Sequence, residues 1–307
     1  MGVLLTTAAI VVAVAVGVWS EGRWPQGAAA ASRSALTLLL YVLLPPVIFF
    51  NTAAAEIDVS HGVGLVLGIV ASTLGAFFVW SVATRFMRLS RPQVGAVVCT
   101  VLSVNTGYLG YPLAVALLGG DELSTAVLYD VLVTGPCLLL GAFAVGAAFG
   151  TKAGETPQQR IVAFFTRNPP LYAAIAGLLA PDALAPEVLV DLSQILIVAI
   201  LPIGFFAVGA TLAENAEHGS LPMPPPMTRP VALVIVTRLA IVPGLLMLLA
   251  LPLIDLPPAY RLLSAMPSGL NSLVIAHAYG LDMEITAEAV TWSTAIVVLA
   301  ALGSLLL

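Results

Sequence analysis

Cys99-Thr100-Val101-Leu102-Ser103-Val104-Asn105-Thr106-Gly107-Tyr108-Leu109-Gly110-Tyr111-Pro112 is the stretch whose reading decides the fold. It lies at the centre of an apolar run, 93–119, long enough to cross ~30 Å of hydrocarbon. Yet it gathers Asn, hydroxyl residues, Gly and Pro within a few positions. Pro removes a backbone N–H and crowds the preceding turn, and Gly weakens the helix further. The reading is therefore a spanning helix interrupted at mid-depth. A second run, 258–281, carries the same ingredients at its own centre, Ala265-Met266-Pro267-Ser268-Gly269-Leu270-Asn271-Ser272. Lipid cannot satisfy the backbone groups that such breaks release. They are tolerated only inside protein or beside a water-filled cavity.

The rest of the chain supplies the setting. Of its 307 residues 60% are hydrophobic and 9% charged, and the mean hydropathy is +1.06. Soluble domains carry about 25% charged residues, so a water-facing surface cannot be built here. Apolar runs punctuated by charge, Pro and Gly predict spans at 2–19, 35–55, 62–84, 93–119, 122–149, 168–181, 188–212, 230–253, 258–281 and 286–306. This is an all-α polytopic membrane protein with no stretch left over for a soluble domain. The run 2–19 lacks a basic n-region and exceeds a typical signal h-region, so it reads as a retained helix. Span 168–181 is short, and Pro169 and Pro170 suit its start. Ile161 to Phe165, just before it, suits an interfacial segment. Cys99 and Cys137 fall inside spans and read as small buried hydrophobes.

If ten spans alternate, Arg23, Arg33, Arg85, Arg88, Arg91, Lys152, Arg160, Arg167 and Arg229 share one side. That side is cytoplasmic by the distribution of Lys and Arg, which places both termini outside the cytoplasm. Loops with Glu56 and Asp58, or Asp121 and Glu122, face outward. Arg261, in an outer loop, is an exception. Leu44-Pro45-Pro46-Val47-Ile48-Phe49-Phe50 resembles Leu201-Pro202-Ile203-Gly204-Phe205-Phe206 about half a chain later. With five spans per half, the second copy is inverted. Inverted repeats whose broken helices meet at the midplane are a transporter architecture. Two half-helix N-termini directed at one point favour an anion without a lysine or arginine. Asn105 and Asn271 add neutral donors, beside Thr106, Ser268 and Ser272. The plainer alternative is a pair of proline kinks packed through small residues.

Three segments carry a family resemblance: Asn105-Thr106-Gly107-Tyr108-Leu109-Gly110-Tyr111-Pro112, Arg167-Asn168-Pro169-Pro170, and the run from Ala265-Met266-Pro267 through Asn271 to Ala278-Tyr279-Gly280-Leu281-Asp282. In these the chain resembles the auxin efflux carrier family, whose bacterial members include malonate-type carriers. The resemblance implies two inverted five-helix repeats, 1–150 and 168–307, joined by a cytoplasmic linker, 151–167, akin to the sodium–bile acid symporter and sodium–proton antiporter folds. It implies a scaffold of helices 1, 2, 6 and 7, a mobile domain of helices 3–5 and 8–10, an elevator-type motion and a homodimer in the cell (inner) membrane. It also implies a small organic anion, a carboxylate, auxin-like or dicarboxylate, held where helices 4 and 9 cross. Carried residue by residue, that site is Asn105, Thr106, Gly107, Pro112, Pro267, Ser268 and Asn271. The long central loop of the plant members is missing.

Asp130 and Arg238 lie well inside spans five and eight. An ionisable residue within a span is a functional candidate by default. Asp130 can line the pocket or carry a coupled proton, and Arg238 can neutralise a substrate carboxylate or pair with an acid. The coupling ion, proton or sodium, stays open. A related sodium–proton antiporter is expected to show two adjacent acids, and Asp130 is followed by Val131. His277 reads as a packed or interfacial residue, and Tyr108, Tyr111 and Tyr129 as hydroxyls within reach of a ligand. Two other functions compete. One is a passive channel. The other is an intramembrane aspartyl protease using Asp130 and Asp282, although Asp282 falls at a helix end. No His/Cys cluster, phosphate-binding Gly loop or basic nucleic-acid patch appears, so no cofactor, metal site or nucleic-acid partner is expected.

Overall fold

A computed structural model describes residues 3–54, 62–214 and 225–305. The expected outer loop with Glu56 and Asp58 lies outside the described residues. Within them the protein is all-helical, with one isolated antiparallel bridge, Val104 to Ser268. In chain order the helices are α1 (Val3–Arg23), α2 (Pro25–Ala53), α3 (Gly62–Arg85), α4 (Arg91–Leu102), α5 (106–118), α6 (Gly120–Phe149), α7 (Pro157–Thr166), α8 (Pro169–Leu179), α9 (Glu187–Glu214), α10 (Arg229–Ala250), α11 (Pro258–Ser264), α12 (Asn271–Tyr279) and α13 (Met283–Leu305). Among the described residues five helices are long and apolar enough to cross a membrane, α2, α3, α6, α10 and α13. Val63, Val66, Val70, Leu74 and Phe77 form an exposed stripe along α3. Their three- and four-residue spacing makes one apolar face, as lipid contact requires.

Most boundaries fall where the hydropathy puts them, and α2 is the exception. It starts at Pro25, not near residue 35. Pro25 sits in the first turn, where its missing N–H costs nothing, and the alanine-rich stretch after it propagates the helix. Arg33 therefore rides on a helix instead of an open loop. The short span, α8, has only 11 residues, ~16 Å at 1.5 Å per residue. It lies against the second half of α2, with Gly177 close to the Phe49 carbonyl.

Prolines shape the long helices in a repeated way. Helical segments with the wider π geometry run Leu39–Leu43, Thr106–Gly110, Asp130–Thr134 and Thr237–Ile241. Each of these four ends two residues before a proline, Pro45, Pro112, Pro136 and Pro243; a fifth, Cys137–Ala142, instead starts directly after Pro136. A proline offers no N–H and clashes with the carbonyl four residues back. Widening the preceding turn accommodates both effects, and such bulges gather at functional sites.

Helices α1, α2, α8 and α9 pack mainly on one another, while α3–α6 and α10–α13 form a second group. The α1–α9 seam is the tightest: a Cβ on Gly17 would stand 2.3 Å from the Phe206 carbonyl oxygen, and one on Gly209 2.2 Å from that of Val14. Helix α7 begins with a capping box. Gln159 N–H donates to Thr156 Oγ1 and Thr156 N–H to Gln159 Oε1. Its Ile161, Val162 and Phe165 are exposed, as expected of an interfacial segment. The linker also caps α12. Lys152 Nζ donates to the His277 carbonyl at 2.9 Å and Arg167 Nη1 to that of Ala278 at 2.7 Å. Gly280 supplies the left-handed turn there, at φ +75°.

Candidate functional site

The interruption after Leu102 leaves Ser103 and Asn105 in non-helical conformations. That between α11 and α12 does the same for 265–269, with Leu270 already helical. The two gaps meet. Asn105 N–H donates to the Pro267 carbonyl at 2.9 Å, and Gly269 N–H to that of Ser103 at 2.7 Å. Backbone groups freed by one break thus satisfy those freed by the other. Gly269 permits the approach: a Cβ there would stand 2.9 Å from the Val104 carbonyl oxygen. The Ser268 N–H is taken by Ser293 Oγ of α13 at 3.2 Å.

The C-terminal ends of α4 and α11 lie against Arg238. Its Nε donates to the Met266 carbonyl at 3.0 Å, its Nη1 to that of Val101 at 3.5 Å, and its Nη2 to that of Ser264. The guanidinium is 1% exposed. It sits where the partial negative charge of two helix C-termini accumulates. Arg238 is not among the residues lining the cavity. Arg238 thus bonds to carbonyls at both breaks and has no acidic partner among the described residues.

The opposite side of the crossing opens into a largely apolar cavity of about 370 Å³. Its walls come from both helix groups: Leu44, Val47 and Ile48 of α2, Leu171, Ala174 and Ile175 of α8, and Leu138 to Leu140 of α6. Asn105, Thr106 and Gly107 at the start of α5 reach it, as do Gly269, Leu270 and Asn271 at the start of α12. Both half-helix N-termini therefore face one space. Asn105 is 1% exposed, and neither its Nδ2 nor its Oδ1 has a hydrogen-bond partner among the described residues. Buried amides are rarely left so. Thr134 Oγ1, also on the cavity wall, is likewise without a partner there.

Asp130 lines the same cavity. It is the first residue of the π segment in α6, and it accepts two hydroxyl hydrogen bonds from α5. Thr106 Oγ1 donates to Oδ1, and Tyr111 Oη donates to Oδ2 at 2.6 Å. The carboxylate thus stands beside the N-terminus of α5, where negative charge is favoured.

The structure therefore brings Asn105, Thr106, Gly107, Asn271 and Asp130 to one cavity. Pro112, Pro267 and Ser268 do not line it: Pro112 is in the first turn after the π segment, Pro267 supplies a carbonyl to the crossing and Ser268 is fully buried. Asn51, Thr52 and Thr134 also line it and were not singled out from sequence. Pro136, not singled out from sequence, is the signal that could have found the widened turn carrying Thr134. Nothing in the sequence marked Asn51 and Thr52. Asp282 is elsewhere, its N–H donating to the Pro92 carbonyl at the start of α4, so the two-aspartate arrangement of a protease is not formed.

Residues 163–304 match the sequence model of a family described as "Membrane transport protein". That match includes the second break, Arg238 and Asn271. The chain is also 22% identical over 146 residues to an uncharacterized transporter of Methanocaldococcus jannaschii. That alignment covers 46% of this chain and 46% of the relative, so the chain spans about half the length of the curated protein it matches. Five long apolar helices make this a multi-pass membrane protein, and its residues 163–304 are similar to membrane transport proteins.

Proposed function

We propose that the protein is a secondary carrier of a small organic anion, a carboxylate held where the two interrupted helices cross. The observation that carries this is Asn105: a buried amide with no protein partner among the described residues, at the edge of a cavity on which two helix N-termini converge. An anion there receives hydrogen bonds and a favourable field without a basic side chain. Asn105, Thr106 and Asn271 bind its carboxylate, Gly107 lets it approach the backbone, and the leucine- and valine-rich walls take an apolar body. Pro112, Pro267 and Ser268 hold the shape of the crossing.

The cavity lies between the two helix groups, which favours alternating access in which α3–α6 and α10–α13 move as one body against α1, α2, α8 and α9. In this reading each broken pair counts as one span, giving ten in two inverted repeats, 1–150 and 168–307, around the linker 151–167. The scaffold group pairs with a second copy. The protein resides in the bacterial inner membrane with both termini outside the cytoplasm. The test is counterflow in proteoliposomes with labelled phenylacetate and malonate. A carrier accelerates uptake when the same acid is preloaded and saturates with concentration. Linear, non-saturating uptake with no acceleration identifies a channel and defeats the proposal.

A further inference from the structure

Asp130 and a bound anion draw on the same groups. The carboxylate occupies the hydroxyl donors of Thr106 and Tyr111, and both of these residues line the cavity. It also stands at the positive end of α5, one of the two helix ends on which anion binding depends. A carboxylate accepts hydrogen bonds and donates none, so while Asp130 is ionised both hydroxyl protons are committed to it. A second negative charge entering the cavity meets a like charge and a spent set of donors.

Among the described residues nothing else around Asp130 offsets its charge. Facing it from α5 is Tyr111, already its donor. The neighbouring titratable groups of α6 are Tyr129 and Cys137, and α3 presents only small and apolar residues to this region, with Ser72 beside Cys137. The walls from α2 and α8 carry no charged residue, and α12 contributes the neutral Asn271. Arg238 is committed to the carbonyls of Ser264, Met266 and Val101.

We propose that Asp130 is the coupling site, taking up one proton from the cavity as the anion binds, so that the two cross together. The proposal rests on the carrier reading and deepens it. The proton adds to Oδ2, and the carboxyl O–H then donates to Tyr111 Oη. The Tyr111 hydroxyl proton is thereby released to turn into the cavity and donate to the anion. No bond other than O–H is made or broken, and the net charge carried with a monocarboxylate is zero. The sign follows: protonation favours the anion, so affinity is strong at low pH and is lost as pH rises through the titration of Asp130.

The experiment is calorimetric titration of the detergent-purified, full-length protein with phenylacetate, or with malonate if only that acid shows counterflow. It is run in two buffers of different ionisation enthalpy between pH about 5.5 and about 8.5. Wild-type protein is expected to take up close to one proton per anion, its Kd weakening about tenfold per pH unit on the alkaline side. Asp130→Asn holds the site neutral, so its proton uptake falls to zero and its Kd no longer follows pH. Tyr111→Phe removes a donor to the ionised form and moves the bend in affinity to higher pH, with proton uptake retained. Wild-type binding without proton uptake overturns the proposal, as does Asp130→Asn with full uptake, or an affinity that depends on sodium and not on pH. Absence of wild-type counterflow with either acid is a different failure, which removes the carrier reading itself.

Discussion

The two interrupted helices look alike in sequence but are finished differently. The second gap, 265–270, is closed on nearly all sides. Arg238 collects its carbonyls, Ser293 takes the Ser268 N–H, and Gly269 is pressed against the Val104 backbone. The first gap is open on one side, where Asn105 keeps an unused amide and Gly107 has only Asp130 Oδ2 nearby, at 3.8 Å from where a Cβ would be. The second break is therefore mostly a joint, with only 269–271 on the cavity, whereas the first keeps an unpartnered amide there. Breaks matched in composition can be finished differently, and the difference is set by what the neighbouring helices bring to each.

That contrast can be broken in order of cost to the fold. Arg238→Met strips the ends of α4 and α11 of charge-assisted hydrogen bonds worth about 1.5–3 kcal/mol each. It is expected to cost about 3 kcal/mol or more, seen as loss of the monodisperse peak in size-exclusion chromatography. Gly269→Ala forces a methyl into backbone and should cost about 2 kcal/mol, read as a lower melting temperature in detergent. Gly107→Ala, the matching change at the other break, should stay within about 1 kcal/mol of the parent. Equal losses at the two glycines would erase the distinction. Ser293→Ala gives up one hydrogen bond, about 1 kcal/mol, with uptake retained. Asn105→Ala removes side-chain atoms that have no hydrogen-bond partner among the described residues. Its melting point should move least, within about 0.5 kcal/mol, while uptake is abolished; Asn271→Ala should also abolish uptake in a folded protein. Normal transport by both asparagine variants would remove the site.

Sequence reading reached the two breaks and picked out Asp130 and Arg238, because these are anomalies against a uniform apolar background. Proline, asparagine or a charge in the middle of a span needs no knowledge of its neighbours to be noticed. What each anomaly touches was not legible. Arg238 donates to carbonyls from segments 137 and 26 residues away in sequence, and Tyr111 meets Asp130 across a helix turn and a loop. Such pairings depend on how helices are rotated about their own axes, which mean hydropathy does not encode. Asn51 and Thr52 were passed over for the same reason: near a helix end they look like ordinary polar punctuation. The early start of α2 was missed because Gln26, Gly27, Ser32, Arg33 and Ser34 lower the hydropathy of 26–34, while the four alanines between them keep the helix going.

The glycine seam between α1 and α9 has a practical consequence. Where one backbone rests on another, the contact senses bulk and ignores chemistry, so Gly17 and Gly209 act as a lock with a single keyway one hydrogen atom wide. Adding one carbon at either position is the smallest edit that prises these two helices apart. It offers a clean lever for asking whether the rest of the machine needs them to stand still.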